Sequence, residues 1–147
     1  MCRMFAIHKF QHHMATQIFL NLPVKDLNKS VQFFIKLGYT FNAQFTNENA
    51  TCMIISDNIF VMLLVEPLFK GFTKKEITDT ANGNECIICL SADSRAHVDL
   101  MVSKAIEAGA TAPHPPQDHG FMYGRDFIDL DGHLWEYAWM DPAHLQA

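Results

Sequence analysis

The stretch Phe127-Ile128-Asp129-Leu130-Asp131-Gly132-His133-Leu134-Trp135-Glu136 sets apolar, strand-forming residues on either side of a short acidic connection that ends in glycine. Such a composition marks a tight hairpin. Working outward, Met122 to Ile128 and His133 to Trp139 read as its two strands. With Asp129 to Gly132 as the connection, Ile128 pairs with His133, Phe127 with Leu134, Arg125 with Glu136 and Tyr123 with Ala138. This register predicts an Arg125–Glu136 pair on one face, either a structural lock or an anchor for a ligand's carboxylate or amine. It sends His133, Trp135 and Tyr137 to the opposite face, under helices.

Upstream of the hairpin, Cys86 to Leu90 reads as a strand. Asp93 or Ser94 then caps a helix whose apolar stripe is Val98, Met101, Val102, Ala105 and Ala108, closed by Gly109. The same order occurs earlier in the chain. Gln17 to Leu22 is a strand stopped at Pro23, and Asp26 caps a helix to about Leu37, with Leu27, Val31, Phe34 and Ile35 on one face and Gly38 as its stop. Strands Tyr39 to Phe45, Thr51 to Ser56 and Ile59 to Val65 complete that half. Val24-Lys25-Asp26 and Ser91-Ala92-Asp93 occupy the same place in each half, so the pattern is a duplicated βαβββ unit of the α+β class. The expected organisation is a domain over 14–142 with modules at 16–66 and 85–140, a linker over 67–84 and a tail over 143–147; Pro113 to Pro116 makes the second strand of the second module ragged. Residues 1–13, with His8, His12 and His13, read as an extension or an expression scar that could bind metal adventitiously.

Of 147 residues, 49% are hydrophobic and 18% charged, and the formal net charge is −5. That balance argues against a phosphate-tracking nucleic-acid surface, and no apolar run approaches the roughly 20 residues that cross a bilayer. Cys2, Cys52, Cys86 and Cys89 are too few and too irregular for a secreted disulfide framework, so a reducing, cytoplasmic setting is expected. Cys86 and Cys89 have CxxC spacing, but on a strand the two thiols face opposite ways. No phosphate-cradling glycine loop and no Ser-His-Asp or Cys-His motif is present.

From Thr16 to Pro142 the chain resembles the vicinal oxygen chelate superfamily, which includes glyoxalase I, bleomycin- and fosfomycin-resistance proteins and extradiol dioxygenases. The resemblance rests on Leu22-Pro23-Val24-Lys25-Asp26 with the helix ending Leu37-Gly38-Tyr39, on Leu90-Ser91-Ala92-Asp93-Ser94, and above all on the Phe127 to Glu136 stretch, where Leu130 stands in a place many relatives give to proline. It implies two modules forming a cupped mixed sheet, with a homodimer completing the cleft. Relatives that use a metal draw ligands from positions that fall here at Phe19, Leu63, Ile87 and Glu136, of which only Glu136 carries a donor. A shift of register would bring in Asn21 or Gln17, Glu85 or Cys89, and His114 or His119 from the loop. The expectation is therefore no cofactor and a small-molecule cleft lined by Glu136, Arg125, Tyr123, Phe19, Leu63, Ile87, Phe127 and Leu134. The alternatives are a divalent-metal-dependent lyase or dioxygenase, and a structural or regulatory homodimer; neither nucleic acid nor membrane is an expected partner.

Overall fold

Asp26 accepts a hydrogen bond from Lys29 N (3.1 Å) and Gly38 closes the helix it starts at φ 106°, while Ser94 and Gly109 (φ 115°) do the same for the second long helix. The computed structural model describes residues 16–144; the expected extension over 1–13 and the last residues of the tail lie outside them. Between those bounds run β1 (Ile18–Val24), α1 (Leu27–Leu37), β2 (Thr40–Asn42), β3 (Ala50–Ser56), β4 (Ile59–Val65), α2 (Glu66–Lys70), β5 (Ile87–Ser91), α3 (Arg95–Ala108), β6 (Gln117–Asp118), β7 (Met122–Ile128) and β8 (Leu134–Met140). The strands make two four-stranded mixed sheets with the same order, β1-β4-β3-β2 and β5-β8-β7-β6, each with one parallel pair at the edge. The fold is α+β and built of two βαβββ modules.

One core serves both modules. Phe33 and Phe34 of α1 are buried against residues of the second module: Phe34 lies 5.2 Å from Trp135 and Phe33 lies 6.2 Å from Phe127, centroid to centroid. Val98, Met101, Val102 and Ala105 of α3 join the same cluster. Each large apolar side chain so buried contributes about 2 kcal/mol, and the shared aromatic layer makes separation of the modules costly.

The acidic connection between β7 and β8 is also an inter-module clamp. Asp129 accepts from Asp131 N, His133 N and Trp135 Nε1, all at 2.9 Å. That frees the Asp131 carboxylate to accept from Lys25 N (2.8 Å) and Ser30 Oγ (2.6 Å) at the start of α1. His133, 2% exposed, donates from Nε2 to the Pro23 carbonyl (2.8 Å) and meets Glu85 of the linker through Nδ1.

Several sequence expectations are corrected. The connection between β7 and β8 is one residue longer than expected, because Asp129 draws the His133 N–H into its carboxylate and pairs its own N–H with the His133 carbonyl. The ladder therefore sets Ile128 against Leu134, Phe127 against Trp135, Asp126 against Glu136 and Arg125 against Tyr137. Pro23 lies inside β1, tolerated because β1 hydrogen-bonds to β4 alone. The α1 stripe is Ser30, Phe33, Phe34 and Leu37, with Ile35 exposed, since the face must meet both α3 and the second sheet. The expected strand over Tyr39 to Phe45 turns into a short 3-10 segment after Asn42, whose side chain caps Gln44 N (2.9 Å). The segment Glu66–Lys70, on the boundary of the expected linker, is helical.

Candidate functional site

Across the second sheet, alternate residues face away from the helices. On β7 and β8 these are Asp126 and Glu136, register partners, and on the neighbouring edge strand Cys89 stands beside Glu136. They border a cavity of about 280 Å³ whose wall includes Ile87, Leu134, Pro115, His114, Asp126 and Glu136. Asp126 has a side chain only 14% exposed; its Oδ2 is 2.5 Å from His114 Nδ1, and its Oδ1 is buried with no hydrogen-bond partner. A buried acceptor left unpaired costs about 1–3 kcal/mol, so this oxygen calls for a donor.

Gly124 sits in the wall of the same cavity, where a Cβ would come within 3.1 Å of Glu136 Oε1. The missing side chain gives the Glu136 carboxylate its room. Partial burial and the Glu136 charge push the Cys89 thiol up, so it stays protonated and acts as a weak S–H donor rather than a nucleophile. The cavity thus sets two carboxylates, Asp126 and Glu136, among apolar Ile87, Leu134 and Pro115, with His114, Gln117 and Arg125 as its other polar wall residues.

The remaining predicted site residues are distributed by the corrected register. Ile87 and Glu136 border the cavity. Arg125 contributes to its wall, but its guanidinium bonds Asp99 on α3 (2.9 Å), which also accepts from the Tyr123 hydroxyl (2.8 Å). The expected Arg125–Glu136 pair does not form, because Arg125 and Tyr123 face the helix side. Phe127 and Leu63 also face the core, at 1% and 0% exposure. Phe19 belongs to the first sheet, where it stacks on Phe60 (5.0 Å) beside a separate opening formed with Phe69 and Phe72. His114 reaches the cavity, whereas His119 does not border it and pairs its backbone N–H with Met122 O. Asn21 bonds the Phe19 carbonyl and Glu85 is engaged by His133. Asp126 was missed because its facing depends on one residue of hairpin length; a count that placed the His133 N–H in the Asp129 cap would have found it.

The family described as bleomycin resistance protein-like N-terminal matches residues 16–56. Among solved structures, a hypothetical protein from S. aureus is 29% identical with a TM-score of 0.73, over 86% of this chain and 94% of that one. A glyoxalase/bleomycin resistance protein/dioxygenase family enzyme from Burkholderia phytofirmans PsJN is 15% identical with a TM-score of 0.73, over 86% and 99%. The chain has the fold of the glyoxalase/bleomycin resistance protein/dioxygenase proteins. The fosfomycin resistance protein FosX from Mesorhizobium loti shares the same fold at 15% identity and a TM-score of 0.65, over 91% and 99% of the two chains. No curated protein matches in sequence. The donor set at the positions where metal-using relatives draw their ligands bears on whether a metal could be held here. Leu63 is in the core, its outward-facing neighbours Met62 and Leu64 carry no oxygen or nitrogen donor, and Phe19 and Ile87 carry none either. Among the described residues no three His, Cys, Asp or Glu side chains are grouped to hold an ion. These residues do not fit a divalent centre, which requires about three protein ligands.

Proposed function

We propose that the chain binds a small, partly apolar molecule in the cavity of the second module, without a metal, through a hydrogen-bond-donor head such as an ammonium. One observation carries this: Asp126 Oδ1, buried and unpartnered, lies across the ladder from the Glu136 carboxylate in an apolar-walled cleft. An ammonium supplies three donors and a compensating charge. At about 280 Å³ the cavity is at the lower edge of small-molecule sites, which start near roughly 300 Å³. A second copy closing the cleft would enlarge it, and exposed Phe19, Phe72 and Ile87 suit such a homodimer. Free Cys52, Cys86 and Cys89 suit a reducing, cytoplasmic compartment.

The test is thermal shift of the full chain with phenethylamine and benzylamine against phenylacetate at neutral pH, together with elemental analysis of protein purified without an affinity tag. The amines should raise Tm and phenylacetate should not, with Asp126→Asn and Glu136→Gln each abolishing the rise. Near-stoichiometric metal lost in Glu136→Gln would move the reading to a divalent-metal-dependent lyase or dioxygenase. A Tm unmoved by any compound, with one oligomeric species in solution, would favour a structural or regulatory homodimer.

A further inference from the structure

The cavity contains a histidine and a buried carboxylate arranged in a way that ligand binding alone does not require. His114 lies in the run Pro113-His114-Pro115-Pro116, whose rings restrict the backbone on both sides and hold it extended before Pro115. Its Nδ1 is 2.5 Å from Asp126 Oδ2. An ionised carboxylate only accepts, so in the neutral ring the proton resides on Nδ1 and the lone pair on Nε2. The ring is 60% exposed while its partner carboxylate is 14% exposed, so the orienting group is sheltered and the basic atom is reachable. Glu136, across from Asp126, and the protonated Cys89 thiol are the other titratable groups on this face.

Building on the cleft reading above, we propose that His114 is a general base with Asp126 as its positioning residue, and that the molecule bound there is an acid whose proton Nε2 accepts. Asp126 Oδ2 holds the tautomer and stabilises the imidazolium that forms, while Oδ1 stays available to a donor on the ligand. The stiff proline-flanked loop fixes the base before the ligand arrives, which removes an ordering cost from the reactive complex.

Two measurements on the full chain test this. The first is the ¹⁵N spectrum of the His114 ring at mildly alkaline pH, where Nδ1 should be protonated and Nε2 bare in the wild type, with the preference lost in Asp126→Asn and kept in Asp126→Glu. The second uses 5-nitrobenzisoxazole, an aromatic carbon acid. Nε2 takes the C3 proton, the C–H pair becomes the second π bond of a nitrile, the N–O bond breaks and its pair leaves on the phenolate oxygen; the imidazolium then returns its proton to water. The wild type should open the ring faster than His114→Gln by about tenfold, below the range of an evolved base because the probe is not the natural substrate. Asp126→Asn should lower kcat. A ring with the proton on Nε2, or equal rates for wild type and His114→Gln, overturns the proposal. Amine binding that persists in His114→Gln would then show that the cleft reading survives the loss of the dyad. Tautomer and turnover as expected, with no amine response, would overturn the ammonium reading and leave the base standing.

Discussion

Asn21, Met62 and Cys52 sit side by side on β1, β4 and β3 in the first module; at the same ladder positions in the second stand Cys89, Glu136 and Asp126. The backbones follow one plan, with the same strand order and helices ended by the same left-handed glycine, yet only the second set carries carboxylates. In the first module the outward face is apolar and partly covered: Cys52 is 1% exposed, and Phe19 stacks on Phe60. Duplication therefore repeats the scaffold and leaves the chemistry in one copy. The inward faces show the reverse, because there the two modules fuse into a single core with no division of labour.

The inward face should respond most strongly to truncation. Trp135→Ala removes the ring between Phe34 and Phe127 and should cost about 3–5 kcal/mol, whereas Phe19→Ala, on the outward face and 49% exposed, should cost below about 1 kcal/mol. Chemical denaturation of both variants measures the contrast, and equal losses would break the division between the faces. The hairpin connections should differ next. Asp131→Ala strands Lys25 N, leaves Ser30 Oγ only the Asp26 carbonyl at 3.1 Å, and should destabilise by about 2–3 kcal/mol, while Asp57→Ala, in the exposed connection of the first module, should stay within about 0.5 kcal/mol. A double-mutant cycle of Asp131→Ala with Ser30→Ala should show positive coupling; additive losses would mean that the clamp is not shared between modules.

That contrast also explains what the sequence disclosed. The caps Asp26 and Ser94, the stops Gly38 and Gly109, and the β4 and β7 spans were legible because local chemistry determines them. The duplication was legible too, although the caps align Asp26 with Ser94, one residue later than the alignment of Val24 with Ser91. Of the residues around the cavity, the sequence reading names Glu136, Ile87, Leu134 and Arg125, with His114 as a supplement from the loop. Asp126 and His114 meet through a bond between a strand and a proline-flanked loop, a non-local pairing that periodicity does not encode. Arg125 was assigned to the wrong face because one loop residue reverses every side chain of a strand. The second role of Asp129 and Asp131 as an inter-module clamp leaves no trace in spacing at all.

His133 gives the clamp a pH dependence that the first module's connection lacks. Burial disfavours its imidazolium, but the Asp129 charge, the Pro23 carbonyl and the Glu85 carboxylate outweigh that and raise its pKa above the ordinary 6.5. A raised folded pKa means that the stabilisation is complete below the unfolded value of about 6.5 and is lost as pH climbs through the folded one. Burial also pushes the Asp129 carboxyl up, which lowers stability with rising pH in a more acidic window. The unfolding free energy should therefore fall from neutral toward alkaline pH. His133→Gln should flatten this slope and cost about 1–3 kcal/mol at pH 6, and a slope unchanged in the variant would show that His133 is not its source.

Gly124→Ala should change stability little and still separate scaffold from chemistry. The added methyl would meet Glu136 Oε1 at 3.1 Å and the Tyr137 carbonyl at 3.6 Å. Since the closer atom ends a flexible side chain and Gly124 carries no positive φ, the strand can accommodate alanine, and the reduced freedom of the unfolded chain offsets part of the crowding. The expected stability change is within about 1 kcal/mol. The carboxylate, however, must swing out of the position that faces Asp126, so the amine-induced rise in Tm should be lost although the fold is intact. If the rise survives, Glu136 can bind from more than one rotamer and Gly124 serves the strand rather than the site; if it disappears, the glycine is a specificity element placed on an otherwise ordinary strand of the duplicated scaffold.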